Sequence, residues 1–231
     1  MTAGLSTTNY TSGVTNATQG TALGQFIAPD PTYVHSYFND FDVYTVGDYT
    51  VTTTGSVTNA VIDGDGGILS MINSASNNDL DAIQLKKQGF YFANVNKQAW
   101  LKARFSLSSA TNAAFVLGLQ PTDTTPLVVT DGWYFNKAAA STTLSFITKA
   151  SSTATTTTVG VLADATYVDV GAWYNGVDTT FLYLNGTQVA SAVVTNIPAT
   201  TTGLTLSWAV ANGTAAAITL NLDYIFVAIE R

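Results

Sequence analysis

Short apolar stretches alternate with clusters of turn residues along most of the chain. From about residue 33 onward, segments rich in Val, Ile, Phe, Tyr and Thr are separated by Gly, Asn, Asp and Ser, which is the pattern of strands and turns. No apolar stripe keeps a helical period over about ten residues, so helix should be minor. The predicted strands are 41–45, 49–54, 68–72, 82–85, 99–107, 114–121, 132–136, 144–149, 156–162, 167–174, 179–184, 187–194, 204–211 and 220–229.

Two Asn-Gly pairs, Asn175–Gly176 and Asn185–Gly186, give the clearest local signal. Such pairs favour positive φ and suit two-residue hairpin turns, so they predict an antiparallel meander over residues 167–194. Aromatic and leucine side chains alternate over residues 181–184, which makes both faces of the middle strand apolar. A strand covered on both faces favours a two-layer sandwich.

Residues 1–30 are small and polar, keep no period and end in a proline-containing junction. They predict an extended N-terminal arm, followed by one β-sandwich domain over residues 31–231. A disordered terminus and an arm that orders against a neighbouring subunit both fit this composition. In the second case the apolar residues spaced along the arm are the candidate anchors: Leu5, Tyr10, Val14, Leu23, Phe26 and Ile27.

Charge is scarce and mostly negative. Only 10% of the residues are charged, well below the roughly 25% of an average soluble protein. Such a surface is typical of a protein that packs against its own copies or against a shell, because few charges must be desolvated. The net charge of −7 opposes binding to nucleic acid, whose affinity comes from clustered Lys and Arg. The absence of Cys excludes disulfides, thiol nucleophiles and Cys-based zinc sites.

Targeting signals are not visible in the sequence. No apolar run approaches the roughly 18 to 20 residues that span a bilayer. The first residues contain neither a basic region nor an apolar region of the kind found in secretory signals. We therefore expect no membrane partner and synthesis in the cytoplasm.

Several motifs resemble those of one fold family. The run YVDVGAWYNGVDTTFLYLNGTQVASAVV resembles the central hairpins of concanavalin A-like and laminin G-like jelly rolls. The order of YFNDFDVY, DGDGG, WLKARFSLS, VLGLQPTDTTPL, DGWYF and LDYIFVAIER over residues 33–231 resembles a group of tailed-bacteriophage virion proteins with this fold. The resemblance implies an all-β, concanavalin A-like jelly-roll sandwich of two antiparallel sheets with an extended N-terminal arm.

The resemblance also implies a function. It predicts a non-enzymatic bacteriophage virion protein that decorates or cements the capsid, binding the outer shell through its arm and the edges of its sandwich. The implied location is the capsid surface, after synthesis in the host cytoplasm. The implied partners are the major capsid protein and copies of the chain itself, and a trimer would suit the local threefold positions of a capsid.

A carbohydrate-binding, lectin-like module for attachment to cell-surface glycans is the alternative function. It requires exposed aromatic side chains on a sheet or a loop rim. All four tryptophans lie in predicted strands beside apolar neighbours, so core packing is the expectation for each of them: Trp100, Trp133, Trp173 and Trp208,. Three tyrosines are left open: Tyr134, Tyr174 and Tyr183.

The sequence offers little for catalysis. Glycosidases need two carboxylates about 5 to 10 Å apart, but the chain has a single glutamate, Glu230. Three aspartate pairs have the i, i+2 spacing of one strand face, but each is flanked by turn residues: Asp40 with Asp42, Asp63 with Asp65, and Asp79 with Asp81,. The single histidine, His35, lies at the junction of arm and domain, which leaves no nucleophile triad. We expect no enzyme, no catalytic residue and no cofactor.

Calcium is the one ligand that the sequence keeps open. The run DGDGG places Asp63 and Asp65 on a flexible turn, and hard cations favour several carboxylate and carbonyl oxygens. The run lacks the third acidic position and the distal glutamate of an EF-hand, so a plain β-turn is the preferred interpretation. Equal melting temperatures with calcium and with a chelator would exclude the site.

Overall fold

The computed structural model describes residues 34–87, 89–92, 97–193 and 195–231. The predicted arm, residues 1–30, lies outside these ranges together with its six proposed anchors, so the arm and the domain boundary stay predictions. The described chain is all β apart from one short 3₁₀ helix, Val46–Asp48. No helix in the described part is long and apolar enough to cross a membrane.

Strands make up the two layers of the fold. In chain order they are β1 (Val34–Asn39), β2 (Tyr49–Thr54), β3 (Val57–Ile62), β4 (Ile68–Asn73), β5 (Leu80–Leu85), β6 (Ala99–Leu107), β7 (Ala113–Gln120), β8 (Gly132–Lys137), β9 (Thr143–Ala150), β10 (Thr153–Val161), β11 (Val168–Tyr174), β12 (Thr179–Leu184), β13 (Thr187–Val193), β14 (Thr205–Asn212) and β15 (Thr219–Glu230).

The strands form two antiparallel sheets that enclose one apolar core. The first sheet has eight strands, in the order β13-β12-β11-β6-β15-β4-β3, with β1 also paired to β15. The second sheet has seven strands, in the order β10-β9-β8-β7-β14-β5-β2. Residues from both sheets pack together in the core. The predicted fold class, an all-β sandwich of two antiparallel sheets, is confirmed.

The long strand β15 organises the first sheet. A register shift between Leu222 and Tyr224 interrupts its pairing with β6, and such bulges bend a strand. On its other side, residues 219–222 pair with β4 and residues 225–230 pair with β1. Strands β1 and β4 therefore lie one after the other along the same side of β15.

The four tryptophans divide between the core and the surface. Trp133 and Trp208 have no exposed area, and the indole nitrogen of Trp133 donates to the Thr180 hydroxyl at 3.1 Å. The prediction of core packing is confirmed for these two residues. It is wrong for Trp100 and Trp173, which are partly exposed on the outer face of the first sheet.

The predicted meander is present, and its two turns differ. Asn185 (φ +50°) and Gly186 (φ +76°) form the two-residue turn between β12 and β13, as predicted. The turn between β11 and β12 is longer than predicted. There the side-chain oxygen of Asn175 accepts backbone N–H groups of Val177 at 2.9 Å and Thr179 at 3.0 Å, which stabilises a four-residue loop instead of a type I′ turn.

The prediction differs from the structure at three strands. The predicted strand 41–45 is wrong, because Phe41 has a φ of +53° and its N–H donates to the Asn39 side chain at 2.8 Å. This turn directs the Phe41 ring into the core. Strands β1 and β3 were not predicted. One inward position of β3 is occupied by the polar residue Asn59, so the strand lacks the alternation of apolar and polar residues that would predict it.

The loop of residues 121–131 covers the central part of the outer face of the second sheet. Val129 of this loop packs on two outward residues of the sheet, Val116 and Tyr134. The Gln84 side chain holds the same loop by hydrogen bonds to its backbone at 3.0 and 3.4 Å.

Candidate binding site on the outer face of the first sheet

Aromatic side chains form a row across three neighbouring strands of the first sheet. Trp100 of β6 lies opposite Trp173 of β11, which lies opposite Phe181 of β12. Ala228 of β15 lies on the other side of Trp100. All three aromatic side chains belong to the alternating positions that point away from the core, because their strand neighbours on both sides are buried.

A second row contains a gap between its side chains. It runs from Phe226 through Lys102 and Gly171 to Tyr183. Gly171 contributes no side chain, and an added Cβ would have Tyr183 Cβ as its nearest neighbour at 3.4 Å. The row therefore lacks a side chain at this position, and the surrounding side chains form the walls of a depression.

The depression between the two rows is the candidate binding site, which we call the aromatic groove. Its volume is about 260 Å³. Its lining belongs to β6, β11, β12, β15 and the turn between β12 and β13, and it includes Trp100, Lys102, Gly171, Trp173, Tyr183 and Phe226. Its apolar walls are typical of a small-molecule site, in which few polar groups set the orientation of the ligand.

The ring of Trp173 is held in a fixed orientation. It stacks on Phe181 with ring centroids 4.9 Å apart and an interplanar angle of 21°. Its indole N–H donates to the Gln98 side-chain oxygen at 2.8 Å, and the backbone N–H of Gln98 donates to Glu230 at 2.7 Å. A preorganised ring loses little rotational freedom when a ligand stacks on it.

Charged groups flank the aromatic groove, and the two carboxylates among them are engaged. The Tyr224 hydroxyl donates to Asp169 at 2.5 Å, while Arg104 forms an ion pair with Asp223. The Asp223 hydrogen bond is the main cause of the raised pKa of Arg104. Burial, followed by the bond to Asp169, raises the pKa of Tyr224.

The candidate calcium residues, Asp63 and Asp65, lie in the exposed turn between β3 and β4. The Asp40 carboxylate packs against Gly66 of this turn, since a Cβ at Gly66 would lie 2.4 Å from one of its oxygens. Burial and then the negative charges of Asp223, Asp42 and Asp65 raise the pKa of Asp40. Within the described residues, no group of three or more His, Cys, Asp or Glu is placed to hold a metal ion. Calcium at Asp63 and Asp65 stays a prediction.

The third aspartate pair and the histidine lie away from the aromatic groove. Asp79 accepts a hydrogen bond from Ser74. Asp81 is buried between the sheets and accepts from the Asn59 side chain at 3.3 Å, and burial raises its pKa to about 6. His35 stacks on Phe90 with ring centroids 4.4 Å apart. None of these groups lines the groove.

Solved structures match the chain over most of its length, although no protein-family model and no curated protein matches it. A protein of unknown function from Shewanella oneidensis has a TM-score of 0.61 at 16% identity, covering 86% of this chain and 87% of that one. The Emp47p carbohydrate recognition domain has a TM-score of 0.59 at 11% identity, with coverages of 87% and 98%. A carbohydrate esterase from the Shiga toxin-encoding bacteriophage phi24B has a TM-score of 0.52 at 14% identity, with coverages of 85% and 97%.

The fold is concanavalin A-like. At these identities the similarity concerns the backbone, and it carries no side-chain function from one protein to another.

The alternation of residues along two strands of this concanavalin A-like sandwich indicates the outward position of the groove tryptophans. Trp100 alternates in phase with Lys102 and Arg104, and Trp173 alternates in phase with Asp169 and Gly171. Since alternate residues of a strand share one face, both tryptophans are on the charged, outward face. The prediction of core packing considered only their immediate neighbours and missed this phase. Of the tyrosines left open, Tyr134 and Tyr174 are buried, whereas Tyr183 lines the groove.

Proposed function

We propose that this chain is a non-enzymatic carbohydrate-binding protein and that the aromatic groove holds the sugar. The observation that carries the proposal is the row of Trp100, Trp173 and Phe181 beside the open position at Gly171. A pyranose ring has one face of C–H groups, which is complementary in shape and polarity to an indole face. The gap at Gly171 leaves space for that ring beside the two tryptophans.

The chemistry of the groove favours binding over hydrolysis. A glycosidase of the two-carboxylate type needs a pair of carboxyl groups facing one bond. Asp169 is the one acidic residue among the described residues that line the groove, and it accepts the Tyr224 hydroxyl. Asp223 of β15 is paired with Arg104.

The test is glycan binding by the full chain and by tryptophan variants. We expect Trp100→Ala and Trp173→Ala each to weaken the affinity for the best glycan of an array by at least about tenfold, which corresponds to roughly 1.4 kcal/mol. Tyr91→Ala is the matched control, because Tyr91 is 46% exposed and does not line the groove. Equal affinities for all four proteins, with unchanged melting temperatures, would contradict the proposal.

Capsid decoration is the second candidate function, and it is compatible with the first. The resemblance of the motifs over residues 33–231 supports it, as does the low proportion of charged residues, 10%. A bacteriophage carbohydrate esterase has the same fold along 97% of its chain, so this fold occurs among phage proteins. In this proposal the chain lies on the capsid surface, and its partners are the major capsid protein and further copies of itself, for which a trimer is the proposed state.

Particles that lack this protein provide the test of decoration. We expect purified chain to cosediment with such heads and to saturate at a fixed number of copies per particle. Cryo-electron microscopy of the decorated heads should then show a β-sandwich at repeated lattice positions. A failure to bind the heads would remove the decoration proposal and leave the glycan proposal unaffected.

A further inference from the structure

Lys102 belongs to the second row of residues and lines the aromatic groove. Its strand neighbours in register are Phe226 and Gly171. Lys102 is exposed, and its side chain forms part of the groove wall. Its Nζ atom lies 5.5 Å from the centroid of the Tyr224 ring.

The ammonium group of Lys102 has hydrogen-bonding capacity that the described part of the chain leaves unused. Within the described residues, no hydrogen-bond acceptor or carboxylate partner of Lys102 is found. The other charged groups beside it are engaged, since Arg104 pairs with Asp223 and Asp169 accepts the Tyr224 hydroxyl. Lysine offers three donors and no acceptor.

The other polar side chains at the groove have hydrogen-bond partners within the protein. The indole N–H of Trp173 already donates to Gln98. Recognition of neutral sugars draws on donors and acceptors together, because each hydroxyl both donates and accepts. Lys102 is exposed at the wall of the groove, so its flexible side chain can bring the ammonium group to an anionic group of a ligand stacked on the apolar rings.

We propose that the groove selects an acidic sugar, with the carboxylate of the sugar bound to Lys102 and its ring stacked on Trp100 and Trp173. This inference rests on the proposed function, since it names the ligand of the same site. The chain carries a net charge of −7, which repels polyanions at long range. The ligand is therefore a single acidic residue, such as a uronic or nonulosonic acid, within an otherwise neutral glycan.

Matched oligosaccharides test the inference on the full chain. Isothermal titration would compare a neutral oligosaccharide, the same oligosaccharide with one terminal acidic sugar, and its carboxyl-reduced derivative. We expect the acidic form to bind about ten- to a hundredfold more tightly than the other two, the range of a hydrogen bond between charged groups.

Variants of Lys102 assign the preference to this residue. Lys102→Met keeps the apolar stem and removes the charge, so we expect it to lose the preference for the acidic form while retaining affinity for the neutral form. Lys102→Arg should keep the preference. Lys149→Met is the matched control, because it makes the same change in β9 of the second sheet.

The outcomes separate this inference from the proposed function. Equal binding of acidic and neutral forms, sensitive to Trp173→Ala, would overturn the role of Lys102 and leave a neutral-sugar site. A preference for the acidic form that survives in Lys102→Met would also overturn it. Binding of no form at high protein concentration would overturn the inference and the proposed function together.

Discussion

Asp81 carries its carboxyl group in the interior between the sheets, where water does not solvate it. The residue has no exposed area, and one of its oxygens has no hydrogen-bond partner in the described structure. Asn59 donates to the other oxygen, while its own side-chain oxygen is also unpartnered. Burial outweighs the hydrogen bond from Asn59, which lowers the pKa, and so it raises the pKa of Asp81 from 3.8 to about 6.

The raised pKa makes Asp81 a source of pH-dependent stability. The folded state holds the proton more tightly than the unfolded state, so the contribution of this group to stability is present below pH 3.8 and is lost as the pH rises to about 6,. The difference between the two pKa values corresponds to a loss of about 3 kcal/mol in the free energy of unfolding at neutral pH. Asp81→Asn removes the ionisation and supplies a donor, so we expect a higher free energy of unfolding at pH 7.

Urea unfolding at pH 4 and pH 7 checks this prediction. The increase in the free energy of unfolding caused by Asp81→Asn should be largest at pH 7 and should fall toward zero near pH 4. Asp42→Asn, at an exposed position, should show a small effect at either pH. A variant at position 81 that is less stable than the wild type at pH 7 would show that the ionised carboxylate is stabilising.

At the scale of strands and turns, the prediction worked where side-chain period and turn chemistry agreed. Strands β2, β6 and β12 have the predicted bounds, 49–54, 99–107 and 179–184. The errors lie where polar residues face inward or turns reverse the chain early, as with Asn59 in β3 and the positive φ of Phe41. The aromatic groove depends on the pairing register of four strands. The sequence of a single strand does not determine that register, so the groove could not be predicted.

The turn between β12 and β13 gives a prediction for one glycine. Gly186 has a φ of +76° and no atom within 4 Å of an added Cβ, so a side chain there meets backbone strain and no clash. We expect Gly186→Ala to cost about 1 kcal/mol of unfolding free energy. Gly47→Ala is the control, since a Cβ at Gly47 also meets nothing within 4 Å and its φ is not positive. Equal melting temperatures for both variants would contradict the argument from backbone strain.

A larger side chain at position 171 should fill the groove without disturbing the strands. The nearest atom to an added Cβ is Tyr183 Cβ at 3.4 Å, an ordinary contact, and β-branched residues suit strands. We expect Gly171→Val to fold with a melting temperature close to that of the wild type and to lose glycan binding by at least about tenfold. Glycan titration and thermal unfolding of the same sample measure the two effects. Unchanged affinity in the folded variant would place the ligand elsewhere.

At the scale of the whole molecule, the sandwich closes by pairing strands from opposite ends of the described chain. Strand β1 pairs with β15 from Val34 opposite Glu230 to Asn39 opposite Ile225. Side chains of β1 also reach the second sheet, where the Tyr49 hydroxyl lies 3.0 Å from the Tyr37 hydroxyl and accepts from Asn39 at 2.9 Å. Without cysteine, these contacts and the apolar core must hold the two sheets together.

This closure predicts where the chain can be shortened. A chain of residues 31–231 keeps β1 and all of its described contacts, so we expect it to unfold cooperatively at a temperature within a few degrees of the full chain. A chain of residues 40–231 loses the β1–β15 ladder and exposes the edge of β15, and should be less stable by several kcal/mol. Calorimetry of the three chains measures both effects. If residues 31–231 melted far below the full chain, residues 1–30 would contribute to the sandwich itself, and the proposed separation into an arm and a domain would be wrong.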